Sequence, residues 1–219
     1  MCAAKVLWVE GRDEEVVLPI LCESKGISLA NLSICLKDKK GYTELLKGIP
    51  VQIKSADADG LEILGIVIDA DENVGNRWKA VRNRLIEAGY KNPPTKPDKK
   101  GTVILGDDTN YLPTVGIWLM PNNDEKGMLE TLIGFLVPSR STNELWQYAE
   151  QTTNIVFDKH KSFLESKKPK AVLHTWLAWQ KKPGLPIGTA ITAKYLKTDH
   201  PAVDDFICWI KRLFQLQPS

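Results

Sequence analysis

Three acidic residues stand where a chain could gather them around a metal ion. Glu10 follows an apolar run and precedes a glycine, in Val9-Glu10-Gly11-Arg12-Asp13-Glu14, and Asp69 and Asp71 form a D-x-D pair in Ile68-Asp69-Ala70-Asp71. Mg²⁺ is a hard cation that takes oxygen ligands, keeps several waters and commonly binds through one or two carboxylates together with substrate phosphates. Acids separated by a single residue can both reach one ion if the chain curls after the first. Their mutual repulsion is costly until a cation relieves it. Either aspartate alone could cap a helix, but a capping role does not account for two of them together with Glu10. A third stretch, Met120-Pro121-Asn122-Asn123-Asp124, is followed by Glu130.

The elements that must position these acids are legible from hydrophobic patterning. Residues 5–9 read as a buried strand ended by the Glu10-Gly11 turn, which Gly11 makes tight. Asp13 is the expected cap of a helix running to Ser24, with Pro19 its awkward member. Strands are expected over 32–36, 61–68, 102–105 and 115–119, and helices over 42–47, 77–88 and 128–137. Leu61–Ile68 is the most strongly patterned strand, apolar and β-branched. Alternating strands and helices indicate an α/β fold with an open, mostly parallel sheet flanked by helices. Function in such sheets gathers at the carboxyl ends of the strands, where Glu10 and Asp69 both fall. After Pro138 the strand pattern stops, and helices are expected over 143–165, 171–180, 190–196 and 203–216. The predicted organisation is an α/β domain over 1–138 and a C-terminal helical extension over 139–219 packed on it, because the 138–142 loop is too short for a free linker.

Val-Glu-Gly and Ile-Asp-Ala-Asp, about 60 residues apart and each following an apolar strand, resemble the TOPRIM domain of topoisomerases, bacterial primases and OLD-type nucleases. The stretch Val115-Gly116-Ile117-Trp118-Leu119-Met120-Pro121, with Gly127 and Leu129-Glu130, resembles a stand-alone TOPRIM-related family, DUF3226. So does His174-Thr175-Trp176-Leu177-Ala178-Trp179-Gln180 with Pro183-Gly184-Leu185-Pro186. The resemblance spans nearly the whole chain. It implies a TOPRIM-like sheet and phosphoryl transfer on nucleic acid with Mg²⁺ or Mn²⁺. Asp69 and Asp71 are then the metal ligands, Glu10 a further ligand or proton-transfer group, and Glu130 a further acid as in the OLD-type nucleases. The resemblance leads to an aspartate at 122, where this chain has Asn122, a change that lowers the charge of the site.

The remaining residues narrow the field. Residues 139–219 carry 12 Lys/Arg against 7 Asp/Glu, a balance of +5, and residues 1–138 carry 17 against 20, a balance of −3. A basic flank beside an acidic site suits a polyanion, although a solvated helical surface has the same composition. Arg77, Lys79 and Arg82, on a helix that starts beside the acids, are the candidate nucleic-acid contacts, and a charged outer face is the plainer account of them. Asp57 and Asp59 precede their strand and belong to the opposite edge, and Asp107-Asp108 reads as a hairpin tip. Cys2, Cys22, Cys35 and Cys208 lack metal or disulfide spacing and read as buried thiols. His174 and the tryptophans Trp146, Trp176, Trp179 and Trp209 read as core residues. No apolar run reaches the roughly 18 residues of a membrane helix, and no signal peptide is expected at the start, so a cytoplasmic protein is predicted.

Two functions fit. One is a Mg²⁺- or Mn²⁺-dependent nuclease acting on DNA or RNA. The other is a non-catalytic binding or interaction module, a subunit of a defence or repair system, motivated by Asn122 and the aromatic helical part. A protein partner or a homo-oligomer is compatible with both. Nucleotidyl transfer is less well supported, since no nucleotide-binding element is evident.

Overall fold

The computed structural model describes residues 4–216. The strands are β1 (Lys5–Val9), β2 (Ile34–Asp38), β3 (Ile63–Asp69), β4 (Thr102–Ile104) and β5 (Thr114–Met120). The helices are α1 (Arg12–Glu23), α2 (Tyr42–Lys54), α3 (Ala56–Asp59), α4 (Val74–Ala88), α5 (Leu129–Phe135), α6 (Glu144–His160), α7 (Lys168–Ala178), α8 (Ile187–Thr192) and α9 (Pro201–Leu213). The five strands form one sheet in the order β2-β1-β3-β5-β4. The first four are parallel, and β4 runs antiparallel to β5 at the edge.

Successive side chains of a strand point to opposite faces, and both faces of this sheet are covered, as the apolar runs require. Leu7, Val9, Ile63, Val67, Trp118 and Met120 pack on one side with α1, α5 and residues of the helices after Pro138. Val6, Trp8, Leu64, Ile66, Ile68 and Leu119 pack on the other with α2 and α4. Leu213 of α9 sits over the paired glycines Gly65 and Gly116, where a Cβ on Gly116 would lie 2.5 Å from its Cδ2.

Element boundaries differ from expectation for local reasons. The cap of α1 is Gly11, not Asp13, and Gly11 is extended at φ −148. It is therefore not a left-handed turn position. Its distinguishing property is space, since an added Cβ would stand 3.2 Å from Glu14 Oε2. Strand β2 begins at Ile34 because Ser33 has a left-handed φ of 55. Helix α2 runs past the expected end at Lys47 to Lys54, through Gly48 and Pro50. Leu45, Leu46, Ile49 and Ile53 sustain its buried face, while Gly48 makes room for the Trp8 ring, 3.2 Å from the position of a Cβ. Helix α6 stops at His160 because Lys161 is left-handed at φ 48.

Several single-residue expectations need correction. Cys22 is buried, Cys35 half-buried and Cys208 exposed, while Cys2 lies outside the described residues. His174 is exposed, since Val172, Leu173, Trp176 and Leu177 occupy the buried face of α7. Trp146, Trp176 and Trp209 are core residues, but Trp179 is 41% exposed. Asp57 and Asp59 lie in α3, before β3, where Asp59 accepts a hydrogen bond from Ser55 Oγ at 2.7 Å. Among the described residues, no helix is long and apolar enough to cross a membrane.

Candidate active site

Strands β1 and β3 are neighbours, yet β1 leads to β2 on one side and β3 to β5 on the other. Helix α1 packs on one face and α4 on the opposite face. This is a switch point, and its crevice at the carboxyl ends is where open α/β sheets bind ligands. Glu10 and Asp69 flank it. The backbone N–H of Asp69 donates to Glu10 Oε2 at 3.2 Å across a separation of 59 residues. Asp69 itself is only 5% exposed, and its Oδ1 accepts from the N–H of Leu129, the first residue of α5, at 3.1 Å. A carboxylate there suits the positive end of α5. Helix α4 is capped instead by Asn73, whose Oδ1 accepts from the Asn76 N–H at 2.8 Å, so neither Asp69 nor Asp71 serves as its cap.

A fifth acid joins the four picked out by sequence. Glu14, in the first turn of α1, is buried, and burial raises its pKa to about 7, with the charges of Glu130, Glu10 and Asp13 adding to the effect. Burial likewise raises Glu10, against the opposing hydrogen bond from Asp69 and the charge of Arg77. Asp69 is pushed well above the usual carboxylate range, first by burial and then by Glu10, Glu14, Glu130 and Asp71. Glu14 was not singled out from the sequence, although the signal was present. It lies three, four and seven residues before Val17, Leu18 and Leu21, the buried face of α1.

The other two acids carry internal cations. Asp71, left-handed at φ 49, donates its N–H to the Gly127 carbonyl at 2.7 Å, and its carboxylate pairs with Arg77 and, at 3.8 Å, with Lys167. The Arg77 guanidinium also lies over the Tyr42 ring, 3.6 Å from its centroid. Glu130 is 3% exposed and pairs with Lys170 at 3.0 Å, while Lys170 also holds Asp13 at 2.8 Å. Burial alone would lower the Lys170 pKa, but hydrogen bonds to Asp13 and Glu130 outweigh it and the net shift is upward. Of the other candidate cations, Arg82 Nε donates to the Pro93 carbonyl at 3.0 Å, and Lys79 is exposed on α4. Asn122 Oδ1 accepts from the Glu125 N–H at 2.9 Å, so it braces its own turn.

Six carboxylate residues, Glu10, Asp13, Glu14, Asp38, Asp69 and Glu130, line one cleft of about 370 Å³ together with Arg12, Lys40, Lys167 and Lys170. The donor set is all oxygen, which suits a hard divalent cation. Among the described residues, no three acid, histidine or cysteine side chains stand close enough to share an ion as they are, and Asp71 and Glu130 are already paired with cations. A larger cavity, about 610 Å³, lies at the opposite edge of the sheet beside Lys5 and Asp57 and gathers no comparable set of acids.

Residues 4–215 match the family described as "Protein of unknown function (DUF3226)", and the chain belongs to that family. No curated protein matches it. In fold it is similar to the C-terminal region of the Burkholderia pseudomallei OLD protein, with 13% identity, a TM-score of 0.53, and coverage of 98% of this chain and 100% of that one. It is also similar to the C-terminal region of the Xanthomonas campestris pv. campestris OLD protein, with 15% identity, a TM-score of 0.50, and coverage of 98% and 95%. The likeness read from the sequence motifs thus holds for the family and for a TOPRIM-like, mostly parallel sheet flanked by helices.

Proposed function

We propose that this member of the DUF3226 family carries out metal-dependent phosphoryl transfer on nucleic acid, as a TOPRIM-type nuclease cutting DNA or RNA. The observation that carries the reading is the convergence of Glu10, Glu14 and Asp69 in one cleft, all with pKa values raised by burial. Buried carboxylates that repel one another are costly to stability, and such groups cluster at functional sites.

In this reading Glu10 and Asp69 would hold Mg²⁺ or Mn²⁺, with Asp71 and Glu130, paired with Arg77 and Lys170, as the further acids of the site. A bound divalent ion supplies charge neutralisation at the scissile phosphate and a more acidic water. The protein groups do the rest. The Asp69 N–H fixes the Glu10 carboxylate at the crevice, and the raised pKa of Glu10 brings it closer to the range useful for proton transfer. Lys170 keeps Glu130 oriented inside the cleft. Among the described residues Lys79 forms no ion pair and is exposed to meet a phosphate, whereas Arg77 and Arg82 are engaged with Asp71 and the Pro93 carbonyl. Residues 1–138 form the α/β unit, and the helical extension over 139–219 contributes Lys167 and Lys170 to its rim. The setting is cytoplasmic.

The test is cleavage of mixed DNA and tRNA in Mn²⁺ by wild type and by Asp69→Ala. Cleavage that disappears in the variant is the expected result. A folded wild type that leaves every substrate intact would overturn the reading.

One set of contacts favours a second function, a non-catalytic interaction module. Asp71 and Glu130 are neutralised by side chains of the same chain, and Asn122 replaces the expected acid. That reading predicts a stable heteromeric complex in native extracts, and recovery of the protein alone counts against it.

A further inference from the structure

Four cations line the acidic cleft, and three of them are engaged within the chain. Arg12 pairs with Glu15, Lys167 with Asp71, and Lys170 with Asp13 and Glu130. Lys40 has no carboxylate partner among the described residues and is exposed. Its position is set by a tight connection between β2 and α2. The Lys40 N–H donates to Asp38 Oδ1 at 2.6 Å, and the Gly41 N–H to the Glu10 carbonyl at 2.7 Å. The turn that carries Lys40 is therefore tied directly to the backbone of the candidate catalytic glutamate.

The basic surface continues outward from there. Lys37 is paired in register with Trp8, and the Lys39 ammonium lies 3.8 Å from the centroid of the Trp8 ring. Neither lysine forms an ion pair among the described residues, whereas Lys47 on the next helix is paired with Glu44 at 2.9 Å. Burial, and then the charge of Lys37, lowers the pKa of Lys39. Lysines on an edge strand such as β2 also discourage strand pairing between molecules. That role accounts for Lys37 but not for Lys40, which lies past the end of the strand and faces the cleft.

We propose that Lys37, Lys39 and Lys40 form the track along which the phosphate backbone of a nucleic-acid strand reaches the acidic cleft. The track lies on the β2 side of the site, uses residues other than those of α4 picked out by sequence, and rests on the nucleic-acid reading above. Each phosphate neutralised by a lysine releases condensed counterions, so a contact is visible in the salt dependence of binding.

The experiment is fluorescence anisotropy with a fluorescein-labelled single-stranded oligonucleotide in EDTA over a series of KCl concentrations. Proteins compared are wild type, Lys40→Gln, the triple variant Lys37→Gln/Lys39→Gln/Lys40→Gln, and Lys79→Gln/Arg82→Gln. The slope of log K against log salt is expected to fall by about 0.7 for Lys40→Gln and by about 2 for the triple variant. Arginine at the three positions is expected to restore it. The α4 variant is expected to lower the slope by no more than about 0.7, the share of Lys79 alone, and so by less than the triple variant does. Wild-type binding with an unchanged slope in the triple variant overturns the track while leaving the proposed nuclease intact, and a loss confined to the α4 variant overturns it equally. Absence of binding by wild type overturns the track, while the nuclease is decided separately by the Mn²⁺ cleavage assay.

Discussion

The N–H of Asp69 donates to Glu10 Oε2 at 3.2 Å, tying the last residue of one central strand to the first residue after its neighbour. Two acids that repel are thus held together by a bond from the Asp69 main chain to the Glu10 side chain. The cluster around them is arranged at a cost to stability.

That cost has a pH signature at Glu14. Its pKa is 4.5 in the ordinary state and about 7 in the folded protein. Between these values the folded form retains a proton that the unfolded form releases, so the stabilisation is complete below about pH 4.5 and is lost as pH rises toward 7. Urea unfolding of wild type and Glu14→Gln at pH 5 and pH 8 measures it. The variant is expected to gain on wild type at the higher pH by on the order of a few kcal/mol. A difference independent of pH would show that Glu14 does not titrate in this window.

Lys170 is the counter-charge of the buried Glu130, at 3.0 Å. Lys170→Ala leaves that carboxylate inside the protein without a partner. The side chain of Lys170 is 43% exposed, which admits water and moderates the effect, so a loss of roughly 1–3 kcal/mol in urea unfolding is expected. Adding Glu130→Gln should recover most of it. If the double variant is no more stable than the single one, the pair is not what Lys170 contributes.

The contact of Leu213 with the glycine pair predicts a steric failure that a second change repairs. Gly116→Val introduces a Cβ about 2.5 Å from Leu213 Cδ2, and overpacking of this kind costs about 1–3 kcal/mol. Leu213→Ala is expected to be less harmful in the Gly116→Val background than in wild type, which a double-mutant cycle by thermal or urea unfolding would measure. Simple additivity of the two changes would remove the contact from the account.

The sequence carried the sheet and the acids because both depend on short-range signals. Apolar runs fixed β1, β3 and β5, and an acid at the end of a strand needs no further information to be placed at the carboxyl edge. What was hidden depends on partners remote in the chain. Arg77 reads as a surface cation until Asp71 and Tyr42 are seen beside it. Lys170 reads as part of a basic flank until it is found between Asp13 and Glu130. Glu14 differs in that helical spacing alone put it on the buried face, and the polar side chain obscured the pattern. Helix α2 was cut short in expectation because Gly48 and Pro50 are breakers locally, whereas the Trp8 ring that occupies the space above Gly48 comes from another strand.

Lys170 follows Asp13 by 157 residues. During synthesis Glu10 after β1 and the acids of α1, β3 and α5 all leave the ribosome before the ammonium group that pairs with Asp13 and Glu130. A nascent chain that has completed its sheet therefore still lacks the counter-charge of Asp13 and Glu130, and docking of α7 is the event that supplies it. A helix made late in the chain thus supplies the partner of an acid in the first turn of α1, and translation interrupted before α7 leaves a species in which Asp13 and Glu130 lack it.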